Sequence, residues 1–164
     1  MAAGIHHVAL RCNDAQKTVE FYAEILGAAL AAAVSGDTVP STGEFSPHIN
    51  LFFRLSDGSM LDFIEVPLSP AAQKDPNTPP WVQHLALTAE SEAVLLATKQ
   101  RLQERGVHVI GPVDHGFCQS IYFFDPSGHR IELAWNNNLS LLQSMGQTAP
   151  QTLARWNEQK SRGW

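Results

Sequence analysis

The stretch His115-Gly-Phe-Cys-Gln-Ser-Ile-Tyr-Phe-Phe-Asp-Pro-Ser-Gly-His-Arg-Ile-Glu132 predicts two β-strands joined by a tight turn. Aromatic and β-branched residues, which favour strands, lie on both sides of the sequence Asp125-Pro-Ser-Gly128. Proline and glycine in that sequence favour a turn. The hairpin also carries three side chains that could meet at one site: His115, Tyr122 and Glu132.

An internal repeat relates this hairpin to the first half of the chain. The sequence His7-Val-Ala-Leu near the start recurs as His84-Leu-Ala-Leu, and each copy precedes a helical pattern that ends in glycine. Further on, Gly58-Ser-Met-Leu-Asp62 recurs as Gly128-His-Arg-Ile-Glu132. Each half therefore predicts a β-α-β-β-β unit, and such a unit cannot close a hydrophobic core alone.

The first unit illustrates the local predictions. Asn13 is the predicted N-cap of its helix and Gly27 the predicted end. The alanine-rich stretch 28–34 is a predicted second strand, and Ser35 to Pro47, rich in glycine, proline and serine, is a predicted loop.

The expected fold class is α+β, with two β-α-β-β-β modules that form a curved mixed sheet around a metal cleft. We place the first module at residues 1–67, a proline-rich linker at 68–81, the second module at 82–136 and a helical tail at 137–164. The tail carries spaced leucines, a methionine and a tryptophan, which predicts amphipathic helices packed on the body or on a partner.

Four side chains are candidate metal ligands because the repeat pairs them. His7 and His84 lie on the first strand of each module, and Asp62 and Glu132 lie on the last. Strand alternation turns both histidines away from the Val/Leu face that covers the helix. Two histidines and a carboxylate on a rigid sheet are typical of a catalytic divalent metal.

Composition excludes several classes of partner. A net charge of −5 argues against nucleic acid and against an anionic membrane, and no apolar run is long enough to span a bilayer. Two cysteines do not make a disulfide framework, and no secretory signal is apparent. We therefore expect a cytoplasmic protein with a small-molecule substrate.

With these motifs the chain resembles the vicinal-oxygen-chelate superfamily, which includes glyoxalase I, methylmalonyl-CoA epimerase, extradiol dioxygenases and bleomycin-binding proteins. The resemblance runs from Ile5 to Trp135 and implies a homodimer. Within the superfamily, the spacing from Val113 to Glu132 fits the extradiol dioxygenase signature. That likeness implies ring cleavage of a catechol-like or other small aromatic substrate, with Fe(II) held by the two histidines and Glu132, and His115 and Tyr122 beside the substrate.

Ring-cleaving dioxygenase is the lead expectation, and Asp62 is the departure from it that leaves a second activity of the superfamily open. If its carboxylate also binds the metal, a catecholate and O2 no longer fit easily. Four protein ligands resemble glyoxalase I and the epimerase, which implies Ni, Zn, Co or Mn and a lyase or isomerase that stabilises an enediolate. Asp62 could instead orient water or a ligand histidine. A third alternative is a metal-free binding protein of the bleomycin-resistance kind.

Overall fold

The computed structural model of the chain describes residues 4–71 and 75–163. Its strands and helices follow one another as β1 (His7–Cys12), α1 (Ala15–Val19, continued by a π-helical segment, Glu20–Ile25), β2 (Ala29–Thr38), β3 (Phe45–Arg54), β4 (Met60–Glu65), β5 (Leu85–Thr88), α2 (Glu92–Glu104), β6 (Ile110–Asp114), β7 (Cys118–Phe124), β8 (Arg130–Asn136) and α3 (Leu139–Arg162).

Two four-stranded mixed sheets have the same topology. The strand order is β1-β4-β3-β2 in the first sheet and β5-β8-β7-β6 in the second. In each sheet the first strand pairs in parallel with the last strand, and the other pairs are antiparallel. The predicted α+β fold of two β-α-β-β-β modules is therefore confirmed.

The repeat extends to the register of the strands. Ala9 of β1 lies opposite Asp62 of β4, and Ala86 of β5 lies opposite Glu132 of β8. Residues opposite each other project from the same face of a sheet. The two carboxylates therefore occupy equivalent positions, each on the face that the helices do not cover.

The hydrophobic core lies between the sheets and their helices and includes residues of both modules. Tyr22, from the segment after α1, has no exposed surface and stacks 4.4 Å from the Phe63 ring. Its hydroxyl donates to Oδ2 of Asp125 in the other module, at 3.0 Å. Arg101 of α2 donates to the carbonyl of Ile25 at 3.1 Å. The helical side of each module thus packs against the other module.

Two local predictions were wrong. The loop predicted from Ser35 to Pro47 is mostly strand, because β2 extends to Thr38 and β3 starts at Phe45. Every residue of β2 is exposed, so the backbone pairing with β3 holds this strand without a buried side chain. The N-cap of α1 is Asp14 rather than Asn13, since the Asp14 carboxylate accepts from the Lys17 amide at 3.0 Å.

The tail forms one helix, α3, which begins beside the second sheet. The backbone amides of Asn137 and Asn138 both donate to the Phe117 carbonyl. The predicted helix is therefore confirmed, and no described residue of α3 is buried in the single chain, so its packing on a partner stays a prediction. Within the described ranges, no helix is apolar enough over a sufficient length to cross a membrane.

Candidate metal centre

Strand alternation separates the core residues from the candidate ligands. In β4, Leu61 and Phe63 enter the core, while Asp62 between them projects from the opposite face. In β8, Ile131 and Leu133 enter the core, and Glu132 projects from the opposite face. Each candidate carboxylate therefore has a rigid position that its buried neighbours fix.

The first sheet holds one pair of candidate ligands, His7 and Asp62. Asp62 is only 3% exposed, and its Oδ2 accepts from the Asn50 side-chain amide at 2.8 Å. Its Oδ1 is buried and has no hydrogen-bond partner among the described residues. His7 projects from the same face, with Nδ1 2.8 Å from the His6 ring and the imidazole 6.4 Å from the Phe52 ring. The orphaned Oδ1 matters because a buried carboxylate oxygen without a partner is costly.

The second sheet holds the other pair, His84 and Glu132. His84 Nε2 lies 2.9 Å from Glu132 Oε2, although Glu132 is only 8% exposed. Two ligand atoms that occupy neighbouring positions of an octahedral cation, each about 2.1 Å from it, are about 3.0 Å apart. The same separation is that of an ordinary hydrogen bond, so the two donor atoms can share a proton in the absence of an ion and can bind one ion with little movement.

Tyr122 and His115 extend this second pair. The Tyr122 hydroxyl donates to Glu132 Oε1 at 3.0 Å, and His115 Nε2 lies 2.8 Å from the Tyr122 oxygen. The single phenol proton points at the carboxylate, so His115 Nε2 carries the hydrogen of the second bond. Burial, followed by the Glu132 carboxylate, raises the pKa of the Tyr122 phenol above its ordinary value. The predicted catalytic residues therefore form a hydrogen-bonded chain that ends on a predicted metal ligand.

Two residues near these pairs were missed by sequence reasoning. Asn50 binds Asp62, as described above, and Arg130 places its guanidinium 4.5 Å from the centre of the Tyr122 ring. Arg130 could have been found, since it lies two residues before Glu132 on the same strand face. Asn50 depends on the register between β3 and β4, which the sequence alone does not fix.

One chain holds the four predicted ligands as two pairs. Within residues 4–71 and 75–163, no three histidine, cysteine, aspartate or glutamate side chains are placed to hold a common ion. The pair from the first sheet and the pair from the second are therefore not gathered around one point of a single chain. Their joint binding of one metal stays a prediction.

The family assignment rests on the sequence as well as on this geometry. The pattern described as the Glyoxalase/Bleomycin resistance protein/Dioxygenase superfamily matches residues 4–133. The chain belongs to this superfamily. Glyoxalases, dioxygenases and antibiotic-binding proteins share that pattern, so membership leaves the reaction open.

Individual members of the superfamily cover most of the chain. "Glutathione transferase FosA" of Serratia marcescens is 29% identical over 133 residues, which is 81% of each protein. The antibiotic-binding protein TnmS3 from Streptomyces sp. CB03234 is 25% identical, with a TM-score of 0.56 over 83% of this chain and 98% of its own. Fosfomycin resistance protein FosX of Listeria monocytogenes, crystallised with Mn(II) and sulfate, has a TM-score of 0.60 at 23% identity, over 84% of this chain and 95% of its own.

Proposed function

We propose that the protein is a divalent-metal enzyme that uses its metal as a Lewis acid on a small substrate with adjacent oxygens. The observation that carries the proposal is the Asp62 carboxylate, which is buried, has no partner for Oδ1 among the described residues and lies on the same sheet face as His7. A cation would satisfy that oxygen. This adds a fourth protein ligand to the two histidines and Glu132, and the lead therefore moves from ring cleavage to Lewis-acid chemistry.

The donor set fits a first-row divalent metal. Imidazole nitrogens and carboxylate oxygens suit Mn, Fe, Co, Ni and Zn. Four protein ligands leave two positions of an octahedral ion for the substrate, whereas ring cleavage requires room for a catecholate and O2. A cation held there would polarise a substrate oxygen and stabilise negative charge that develops on it.

A homodimer supplies the arrangement that one chain lacks. In a two-fold symmetric dimer, the pair His7–Asp62 of one copy can face the pair His84–Glu132 of the other, and symmetry repeats that contact. Two equal centres result, each with ligands from both copies. The proposal thus explains why a single chain keeps its ligand pairs apart.

Tyr122 and His115 are the proposed acid–base residues. With its raised pKa, the phenol stays protonated at neutral pH and holds Glu132 in place through Oε1. A proton that leaves Tyr122 for a substrate oxygen can be replaced from Nε2 of a His115 imidazolium, which contacts the phenol oxygen and is left as neutral imidazole. Transfer of glutathione to a substrate, the activity in the name of the transferase relative, and proton transfer beside a carbonyl both fit these roles.

Ring-cleaving dioxygenase remains the second candidate. The observation that favours it is the contact of 2.8 Å between His115 and Tyr122, the two residues that the extradiol signature implies beside the substrate. Oxygen uptake with a catechol panel by Fe(II)-loaded protein tests it. Uptake would return this reaction to the lead, and its absence would remove it.

Metal content tests the proposed centre. We expect the purified dimer to bind one Mn²⁺ per chain in calorimetry, and we expect the variants His7→Ala and Glu132→Ala to bind at least about tenfold more weakly. His108→Ala, which removes an exposed imidazole, is the matched control. Asp62→Asn should weaken binding as well. An Asp62→Asn variant with wild-type affinity would restore the three-ligand site of a dioxygenase.

A mixing experiment tests whether the ligands come from two copies. Neither His7→Ala nor Glu132→Ala homodimers contain an intact centre, but a mixed dimer contains one. Refolding the two variants together should therefore restore about a quarter of the wild-type metal sites. If each centre forms within one chain, mixing restores none, and the dimeric centre is wrong.

A further inference from the structure

A cavity of about 450 Å³ has His84, one of the candidate metal ligands, in its wall. It is bounded by β1, by the segment that leads into β5 and by the turn between β7 and β8, and its lining includes His84, Gln83 and Arg130. Ligand pockets in proteins typically enclose about 300–1,000 Å³. The volume therefore suits a small molecule, and the cavity wall includes one of the predicted metal ligands.

Among the described residues that line this cavity, Arg130 is the arginine, and it forms no ion pair. Its guanidinium stacks over the Tyr122 ring at 4.5 Å, which fixes the plane of the group. The Nε atom is buried and has no hydrogen-bond partner among the described residues. None of the ion pairs found within the described ranges involves this arginine. A guanidinium that lines a cavity and forms none of these ion pairs is available to bind an anion from outside the chain.

The other charged group of the cavity is already engaged. Asp75 lines the wall, but its Oδ1 accepts from the Asn77 amide at 2.9 Å and its Oδ2 accepts from the Thr78 hydroxyl. These bonds lower the pKa of the exposed Asp75 carboxyl, with the Thr78 bond as the first cause. Asp75 is thus bound to its own turn and forms no ion pair with Arg130.

We propose that Arg130 binds an oxyanion of the substrate, a carboxylate or a phosphonate, beside the metal centre. A planar guanidinium can donate two parallel N–H bonds to either group. The stacking on Tyr122 fixes the orientation of the guanidinium before the anion binds. Because the guanidinium lies over the Tyr122 ring and the Tyr122 hydroxyl donates to Glu132, an anion on Arg130 lies near the groups that face the metal. This substrate class rests on the proposed function, since it assumes that the cavity and the metal centre serve one molecule.

Binding of acetate and of methylphosphonate tests the subsite directly. In metal-free protein we expect Arg130→Gln to weaken one of these anions at least about tenfold, as expected for the loss of a charge-assisted hydrogen bond. Arg54→Gln, which removes an exposed arginine at the end of β3, should leave the affinity unchanged. Arg130→Lys keeps the positive charge and should recover part of the anion affinity that Arg130→Gln loses. The anion that binds more tightly identifies the substrate class.

The outcomes separate this proposal from the proposed function. If wild-type protein binds neither anion, or if Arg130→Gln binds as wild type does, the subsite is wrong whatever the metal results. In Mn²⁺-loaded protein, the bound ion should broaden the phosphorus resonance of methylphosphonate, and an unbroadened resonance in a bound complex would overturn the placement beside the metal. If wild type binds the anion but not Mn²⁺, the subsite stands and the proposed function fails. Unchanged Mn²⁺ affinity in Arg130→Gln is expected, because Arg130 is not a ligand.

Discussion

The hydrogen bond between Tyr22 and Asp125 should stabilise the contact between the two modules, and Tyr22→Phe measures it. The substitution removes one hydroxyl and keeps the ring, which stacks 4.4 Å from Phe63. The hydroxyl is fully buried and donates to Asp125 Oδ2 at 3.0 Å. Asp125 Oδ1 keeps its two backbone donors, the amides of Ser127 and His129, at 2.9 and 2.8 Å. The substitution therefore removes the donor from one oxygen of the buried Asp125 carboxylate, Oδ2, and leaves the bonds of the other oxygen intact.

Loss of a hydrogen bond to a charged group should reduce the free energy of unfolding by about 2 kcal/mol. With a urea dependence of about 2 kcal/mol per molar, the unfolding midpoint should fall by about 1 M. Urea titration followed by tryptophan fluorescence and by circular dichroism measures the midpoint. If the free energy of unfolding depends on urea with the same slope in wild type and in Tyr22→Phe, the unfolded state is unchanged.

Tyr122→Phe is the matched control for this experiment. Its hydroxyl also donates to a carboxylate at 3.0 Å, but the side chain is only half-buried, so water can replace the lost donor. Its midpoint should fall by less than about 0.5 M. A Tyr22→Phe midpoint no lower than that of Tyr122→Phe would refute the argument that burial makes the Tyr22 bond strong.

Two further predictions concern the tail and the core. A stop after Gln143 removes most of α3, and the thermal midpoint of the body should stay within about 2 °C, because no described residue of that helix is buried; a larger fall in calorimetry would mean that α3 packs on a second copy. Burial raises the pKa of the Cys12 thiol, so the folded state keeps a proton that the unfolded state loses above about pH 8.5. Between about pH 8.5 and 9.5, the free energy of unfolding in urea should therefore fall more steeply with pH for wild type than for Cys12→Ala, and equal slopes would contradict the burial argument.

The sequence predicted the faces of the strands well, because alternation is a local property. Leu61 and Phe63 flank Asp62 as they enter the core, and the same pattern surrounds Glu132. The hairpin turn was equally local: Gly128 has a φ of +87°, where a side chain would be strained. The prediction of a tight turn between β7 and β8 needed no information from the rest of the chain.

The extent of β2 and β3 escaped prediction because their side chains carry little information. Ala31 to Ala33, Ser35 and Gly36 all lie exposed in β2, and the strand exists through its backbone pairing with β3. Exposed small and polar residues look alike in a loop and in an edge strand. A pairing between distant segments therefore decides the structure here.

The separation of the ligand pairs escaped prediction for a related reason. Alternation indicates that a side chain leaves the core, but it does not indicate which module lies opposite. That arrangement depends on long-range contacts such as those from Tyr22 to Asp125 and from Arg101 to Ile25. In the sequence, Tyr22 indicated only a helix face and Asp125 only a turn.

The repeat is also asymmetric, and the asymmetry bears on the proposed chemistry. Phe52 lies opposite Asp62, while Tyr122 lies opposite Glu132 at the equivalent position. At that position the first pair is flanked by a ring that cannot exchange a proton, while Asn50 holds its carboxylate and the His6 imidazole contacts His7. The second pair is flanked by a phenol, an imidazole and a guanidinium. In a centre built from both copies, anion binding and proton transfer through a phenol would fall to the His84–Glu132 side. Substitution of Phe52 should accordingly affect substrate fit, whereas substitution of Tyr122 should affect proton transfer.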